Sequence, residues 1–324
     1  MKEYRKSVFV VAVLIALLLW SITAMSAKAK DVYPSKPVTI IIAYSPGASL
    51  DVTTRALAPY ISNEIHANVI ISNIPGAGGD IGTFKAYTAK PDGYTLLAWT
   101  TVAQILSEYM HEVKYKTLGF TPIAAITRDY PILVGHPETF KNVMDFVKQA
   151  KTRSVSIGNN GQFTVNGFQG RLMAQTLGLK VNWVNYSGTT EAMGALAGRH
   201  LDAATNLAAA AMPLIRAGKV IPLLMFAKNR VPQFPDVPVP SELGFDMPLL
   251  GTTLGIVAPP GMDKEKVKFL ENAIMKAAKN PDFVAWMEKA STAERILLSG
   301  DAYRREIEEL AKVAEKYKNS FANN

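Results

Sequence analysis

The sequence NIPGAGGDIG, residues 73–82, is a glycine-rich turn that follows a strand-like run, Val69–Ser72, and opens into a helical stretch. A second turn of this kind, AYSPGASLD at residues 43–51, follows the strand-like run Val38–Ala43. Glycine between a strand and a helix lets backbone N–H groups crowd around a ligand, and the N-terminus of the helix adds a positive dipole end. Two such turns predict an α/β protein that captures a small anion, with a carboxylate as the favoured class.

Strand-like and helical runs alternate along the rest of the chain. Turn residues at Pro91-Asp92-Gly93 separate the early runs, and the pattern restarts after Thr121-Pro122. A proline-dense loop, residues 231–240, precedes one more predicted strand at Leu254–Ala258, and two amphipathic helices are expected to close the chain. Alternation of this kind predicts mostly parallel sheets with helices on both faces.

The first 29 residues are predicted to be a secretory signal peptide. Lys2, Arg5 and Lys6 form a basic start. Val8–Trp20 is an uninterrupted apolar run, and Ala27-Lys28-Ala29 offers a cleavage site. A membrane anchor is the alternative, but this run is shorter than the ~20 apolar residues that span a bilayer. We therefore expect an exported, periplasmic protein.

The composition limits the possible functions. The 324 residues include no cysteine, which excludes disulfides, thiolate zinc sites and iron–sulfur ligation. The 35 lysines and arginines exceed the 27 acidic residues and give a net charge of +8, but they are scattered without a basic run. This pattern is typical of a mildly basic soluble surface, so no nucleic-acid partner is expected.

No motif of a known catalytic centre is complete in this sequence. The turn Gly76–Gly82 places its third glycine one position too late for a dinucleotide-binding G-x-G-x-x-G turn. Ser49 lacks the closing glycine of a nucleophile elbow, because Asp51 occupies that position. The four histidines do not have metal-ligand spacing. We therefore expect a binding protein without cofactor or metal, and a hydrolase that uses Ser45 or Ser49 is the least favoured alternative.

Polar groups follow several of the predicted strands. The loop Gly47–Ser49 leaves its backbone amides sterically open, and Asp51 lies near the start of the next helix, a favourable position for an acid. Thr100-Thr101 add hydroxyl groups after another strand, and residues 159–164 add amide groups from the second half of the chain. Because carboxyl ends of parallel strands share one edge of a sheet, we expect these loops to converge on a ligand.

Motifs over nearly the whole mature chain resemble those of one family of solute-binding proteins. They include NIPGAGGDIG at 73–82, PDGYTLL at 91–97, FTPI at 120–123, LAGRHLD at 196–202 and APPG at 258–261. The first two in combination are similar to those of the substrate-binding proteins of tripartite tricarboxylate transporters, also called Bug proteins. The chain departs from the family at Gly47-Ala48-Ser49, where paired glycines are usual, and in its bulkier loop at 159–166.

The resemblance implies a two-lobed periplasmic binding protein of type II, in which each lobe is a mostly parallel sheet flanked by helices. It divides the chain into a signal peptide (1–29), a first lobe (33–128 plus 252–324) and a second lobe (129–251). It also implies a monomer that delivers a small carboxylate to integral-membrane permease subunits. A sensor that presents the bound acid to a membrane receptor is the alternative.

The resemblance assigns a ligand site by position. The loop Tyr44–Ser49 would bind one carboxylate through backbone amides and waters, with Gly78-Gly79 behind it. Asn160–Asn166 would face it from the second lobe. The candidate ligand-binding residues are Tyr44, Ser45, Pro46, Gly47, Ala48, Ser49, Asp51, Gly78, Gly79, Thr100, Thr101, Asn160, Gln162, Thr164 and Asn166. Trp99 and Phe163 either shape this pocket or belong to the core, and the core is the favoured interpretation.

Overall fold

The computed structural model describes residues 33–47, 49–110, 112–161, 164–186, 188–290 and 293–322. The predicted signal peptide, Ala48, Gln162 and Phe163 lie outside these described residues. Within them, no helix combines the length and the apolar character needed to cross a membrane.

Strands and helices alternate through the described residues. The strands are β1 (Val38–Ile42), β2 (Val69–Asn73), β3 (Thr95–Thr100), β4 (Thr121–Asp129), β5 (Pro131–Gly135), β6 (Val155–Asn159), β7 (Val181–Asn185), β8 (Ala203–Leu207), β9 (Ile221–Met225), β10 (Thr252–Ala258) and β11 (Glu294–Ser299). The helices are α1 (Ser49–Ile65), α2 (Asp80–Tyr87), α3 (Thr101–Met110), α4 (Val143–Thr152), α5 (Val165–Leu177), α6 (Thr189–Ala197), α7 (Ala208–Arg216), α8 (Lys264–Ala277), α9 (Pro281–Ala290) and α10 (Gly300–Ala322).

The first lobe is built on a sheet of order β11-β4-β10-β3-β1-β2. Strand β1 is apolar throughout its buried part because helices cover both faces of this sheet, a pattern typical of central parallel strands. Ile40 packs with α1, α8 and α9 on one face, whereas Ile41 packs with α2, α3 and α10 on the other. Trp99 is fully buried in the second of these clusters, so it belongs to the core.

The second lobe is built on a sheet of order β7-β6-β8-β5-β9. Helices α4 and α5 cover one face, where Phe146 and Met173 are fully buried. Helices α6 and α7 cover the other face through Leu196 and Ala211. Two sheets flanked by helices confirm the predicted two-lobed α/β architecture.

Both sheets are mixed: β5 is reversed in the second sheet, and β10 and the edge strand β11 are reversed in the first. Strands β1–β3 are mutually parallel, as are β6–β8, but β10 and β5 run antiparallel to both of their neighbours. The chain enters β5 and β10 directly from the other lobe, at the edge where the parallel strands end. These strands must therefore run away from that edge, opposite to the parallel strands.

The carboxyl ends of the parallel strands of the two lobes face each other. Asp129, the last residue of β4, pairs with Thr252 at the start of β10. Leu254, also in β10, pairs with Thr100, the last residue of β3. Immediately after Asp129 the chain enters β5, whose first residue, Pro131, pairs with the last residue of β8, Leu207. We call the carboxyl ends of β1–β3 and their loops the first edge, and those of β6–β8 the second edge.

Candidate functional site

Six helices begin at the two facing edges. Helices α1, α2 and α3 start after β1, β2 and β3 at the first edge, and α5, α6 and α7 start after β6, β7 and β8 at the second. First-turn N–H groups have no partner within their helix and carry the positive end of its dipole. The space between the edges is therefore suited to an anionic ligand.

Asp51 organises the loop of the first edge. Its carboxylate accepts hydrogen bonds from the Gly47 N–H at 2.9 Å, from Arg55 Nε at 2.9 Å and from Asn73 Nδ2 at 2.8 Å. Asn73 also donates to the carbonyl oxygen of Tyr44 at 3.0 Å, which ties the end of β2 to this loop. Burial disfavours the charged form of Asp51, but these hydrogen bonds outweigh burial and hold the pKa of the carboxyl below its usual value.

The structure corrects the roles predicted for Gly47 and Asp51. The amide of Gly47 is not open to a ligand, because its N–H already donates to the Asp51 carboxylate. Asp51 itself is only 2 % exposed and faces the loop instead of the space between the edges. Ser45, Pro46, Gly47 and Ser49 are all exposed at the first edge. Donors for a bound anion must therefore come from the first turn of α1 and from the exposed loop.

A polar network lies behind this loop. The Tyr44 hydroxyl is within 3.0 Å of Thr100 Oγ1 and accepts from Gln104 Nε2 at 3.0 Å. Gly79 packs against both groups: a Cβ there would meet Gln104 Nε2 at 3.1 Å and the Tyr44 ring at 3.3 Å. Gly78, its neighbour, is exposed. Tyr44, Gly79 and Thr100 are thus brought together as predicted, and Gln104 is a member of the network that the sequence did not reveal.

Thr101 is placed differently from the prediction. Its side chain is fully buried, its hydroxyl contacts that of Tyr303, and it donates to the Thr253 carbonyl at 3.3 Å. The hydroxyl therefore belongs to the core beneath β10 and is not offered to a ligand. The neighbouring Thr100 is partly exposed and faces Tyr44.

The second edge brings together three of the four residues predicted there, since Gln162 is not described. Thr164 caps α5 by accepting from the Gly167 N–H at 3.1 Å, and its hydroxyl lies 3.0 Å from Asn160 Oδ1. Asn160 Oδ1 also accepts from Asn166 Nδ2 at 3.0 Å.

Two further asparagines at the second edge were not predicted as site residues. Asn159 ends β6 and is fully buried, and Asn206 lies in β8 beside Asn166, at 3.4 Å. Asn159 Nδ2 and Asn166 Oδ1 are both buried and have no hydrogen-bond partner among the described residues. Buried polar atoms are rarely left unpaired in proteins, so these two atoms mark a position for a water or a ligand group.

The described residues contain no cluster of three acidic or histidine side chains that could bind a metal ion. The geometry at the two edges instead combines helix N-termini, backbone amides and neutral polar side chains. That combination binds small anions by hydrogen bonds.

Similarity to known proteins shows the family to which the chain belongs. Residues 53–315 match the model of the family described as the tripartite tricarboxylate transporter family receptor, TctC. A protein of Agrobacterium vitis, described as "UPF0065 protein in the TAR-I ttuE-ttuC' intergenic region", is 30% identical over 314 residues, which cover 92% of this chain and 89% of that protein.

Two solved structures share the fold. A TctC solute-binding protein from Polaromonas superposes with a TM-score of 0.80 at 24% identity, covering 89% of this chain and 99% of that chain. Rpa4515 of R. palustris, solved with adipate, superposes with a TM-score of 0.74 at 21% identity, covering 89% of this chain and 98% of that chain. At this identity the likeness shows the fold alone. The family model, however, spans most of the sequence, and the chain belongs to the tripartite tricarboxylate transporter receptors, the family that its motifs predicted.

Proposed function

We propose that this protein captures a small organic acid between its two edges and delivers it, without chemical change, to membrane permease subunits. The observation that carries the proposal is the convergence of six helix N-termini on one space between the lobes. Membership of the receptor family supports the transport role, and the adipate bound to Rpa4515 supports an organic acid as the ligand class.

One carboxylate of the ligand would bind at the first edge. The exposed Ser45 and the first turn of α1 offer hydrogen-bond donors, and Asp51 fixes the loop that presents them. A hydrogen bond to a charged group contributes about 1.5–3 kcal/mol. Three or four such bonds, less the cost of association, approach the ~8 kcal/mol of a micromolar complex, so no arginine is required.

The proposal includes the domain division and the location. The lobes comprise residues 33–128 with 252–324, and 129–251, so that they can close over the ligand by bending near the two crossings. The protein acts as a monomer in the periplasm after removal of residues 1–29.

A thermal-shift screen of the mature protein tests the proposal. The panel contains mono-, di- and tricarboxylates and aromatic acids, and a ligand well above its dissociation constant should raise the melting temperature by several degrees. Calorimetry then measures affinity and any turnover of the ligand that is found.

Gly47→Val tests the position of the site. Gly47 has φ +85°, so valine strains the loop and crowds its amides. Gly178→Val is the matched control, because Gly178 also has a left-handed backbone (φ +63°) with open space around it and follows the far end of α5. Both variants should lose stability, and only Gly47→Val should lose ligand binding. Equal affinity in the two variants would contradict the site at the first edge.

A further inference from the structure

We propose that the second edge selects the distal end of the ligand: it accepts a neutral group that both donates and accepts hydrogen bonds, such as a hydroxyl or a carboxamide, in preference to a second carboxylate. This inference rests on the proposed capture of an organic acid at the first edge. It is carried by the two unpaired buried atoms of Asn159 and Asn166.

The orientation of the Asn159 amide is fixed by the backbone. The Gly161 N–H donates to Asn159 Oδ1 at 2.8 Å, and a backbone N–H can only donate. The amide therefore cannot be turned around without losing this hydrogen bond. Its Nδ2 is left as a buried donor that no described residue pairs with.

The orientation of the Asn166 amide follows from its neighbours. The Leu207 N–H donates to Asn206 Oδ1 at 2.9 Å, which makes that oxygen an acceptor. Asn166 must therefore present Nδ2 to Asn206, at 3.4 Å, and it also donates to Asn160 Oδ1 at 3.0 Å. Its Oδ1 is left as an acceptor to which no group of the described part of the chain donates, although the residue is only 4 % exposed.

One free donor and one free acceptor define the chemistry of a matching group. A carboxylate could accept from Asn159 Nδ2, but it has no hydrogen for Asn166 Oδ1 and would repel that oxygen. An alkyl end would leave both atoms unpaired, which is costly for buried groups. A hydroxyl or a carboxamide can both accept and donate.

The nearest cation on helix α5 is engaged elsewhere. Arg171 is only 6 % exposed, donates to the Gly167 carbonyl at 3.3 Å and lies over the Trp183 ring at 4.7 Å. It makes no hydrogen bond to any of the four asparagines of the second edge. Among the described residues, the hydrogen-bond network of these four asparagines therefore contains no cation that could pair with a second carboxylate of the ligand.

Calorimetry with acids of matched length tests this inference on the mature protein. The first set has a four-carbon chain and differs only at the distal end: butanoate, succinate, 4-hydroxybutanoate and succinamate. Two further sets, whose chains are one and two carbons longer, test whether a longer acid is needed to reach the second edge. In the set that binds, we expect the hydroxyl- and carboxamide-ended acids to bind at least about tenfold more tightly than the other two, the cost of a missing buried hydrogen bond.

Asn159→Asp changes the proposed donor with little change in shape. One carboxylate oxygen can still accept from the Gly161 N–H, but the free donor becomes an acceptor. A hydroxyl has one hydrogen and cannot donate to both the new carboxylate and Asn166 Oδ1, so we expect affinity for the hydroxyl-ended acid to fall about tenfold. Asn182→Asp is the matched control, because Asn182 lies near the start of β7, away from the second edge, pairs with Ser156 and is exposed. It makes the same change in charge and should leave the affinity unchanged.

The outcomes separate this inference from the proposed function. Equal or tighter binding of the alkyl or dicarboxylate ligands would overturn the selection at the second edge and leave capture of an organic acid intact. Equal affinity of folded Asn159→Asp and of the control variant for the hydroxyl-ended acid would also overturn it. If no acid of any length binds to the folded, ligand-free protein, capture of an organic acid fails and this inference fails with it.

Discussion

At the scale of single residues, Asp51 is the side chain whose loss should affect the first edge most. Its carboxylate joins the Gly47 N–H, Arg55 and Asn73, and no other acid in the described ranges accepts a hydrogen bond from any of these three. Asp51→Asn removes the charge and one acceptor from a buried position. We expect the free energy of unfolding to fall by about 1–3 kcal/mol and ligand affinity to fall at least about tenfold, measured by urea unfolding and calorimetry.

Glu64→Gln on the same helix is the control for that variant. Glu64 pairs with Lys276 at 2.7 Å, and the lysine side chain is 75% exposed. Such surface pairs contribute about 0–1 kcal/mol, so affinity should not change. If Asp51→Asn behaved like Glu64→Gln in both measurements, Asp51 would not organise the loop.

The lowered pKa of Asp51 predicts how this difference depends on pH. The native state favours the ionised carboxyl, so the stabilisation is fully present above the ordinary aspartate pKa of about 4 and is lost as the pH falls through the lower native pKa. The stability gap between the wild type and Asp51→Asn should therefore be constant from pH 5 to 8 and shrink below about pH 4. Urea unfolding across this range measures it, and a gap that closed near neutral pH would contradict the assignment.

The sequence revealed some of these residue roles because they depend on local features. Glycine at a strand–helix turn and an acid near the start of a helix can be recognised from neighbouring residues alone. The bond from Asn73 to Asp51 joins distant parts of the chain and depends on the pairing of β1 with β2. Thr101 was assigned wrongly because adjacent residues at the end of a strand point to opposite faces, and it is Thr100 that faces Tyr44.

At the scale of elements, the packing of α2 depends on a glycine. A Cβ at Gly82 would lie 2.6 Å from the Ile74 carbonyl oxygen and 2.9 Å from Ala43 Cα, both of them backbone atoms that cannot easily move. Gly82→Ala should therefore push α2 away from the first edge. We expect a loss of about 1–3 kcal/mol in the free energy of unfolding, as for other overpacked positions.

Gly194→Ala is the matched control for that helix. Gly194 also lies within a helix, α6, but it is exposed, and apart from its chain neighbours and the backbone of its own helix no described atom lies within 4 Å of its Cβ position. Alanine there should raise stability by about 0.4–1 kcal/mol, because it reduces the entropy of the unfolded chain. Urea unfolding should give changes of opposite sign in the free energy of unfolding of the two variants. Changes of the same sign would show that the close contact at Gly82 does not control the packing of α2.

The elements that the sequence did not reveal lack the usual boundary signals. Pro122 suggested a turn, but it lies near the start of β4, where proline is tolerated, and the rest of that strand is central in the sheet. Helix α3 follows β3 at Thr101 with no glycine or proline between them. Between the two predicted closing helices lie α9 and β11, and β11 is a half-buried edge strand with little apolar periodicity.

At the scale of the whole molecule, the two-lobed architecture was predictable from family motifs, whereas the contact between the lobes was not. Val165, Phe168 and Leu172 of α5 lie in one buried cluster with first-lobe residues such as Trp99. Leu250, just before the second crossing, lies in the same cluster and donates its N–H to Gln169 of α5 at 2.7 Å. Periodicity indicates that a helix face is buried, but it does not indicate which lobe covers that face.

Helix α10 joins both connections between the lobes through Glu306. This carboxylate pairs with Arg128 near the end of β4 and accepts from Thr253 Oγ1, at the start of β10, at 2.7 Å. Because one side chain contacts both crossings and a buried cluster spans both lobes, we expect the lobes to unfold together. Glu306→Gln should lower the free energy of unfolding by about 1–3 kcal/mol and keep a single transition, measured by calorimetry and urea unfolding.

Glu309→Gln separates this effect from a general loss of charge on α10. Glu309 lies three residues further along the helix, is 70% exposed and pairs with Lys312 at 2.6 Å. Its removal should change stability by less than about 0.5 kcal/mol, as for most surface pairs. Two separate transitions in the wild type would show that the lobes are independent units despite the shared cluster. Equal losses in the two variants would show that the contact with both crossings adds nothing to the stability of the molecule.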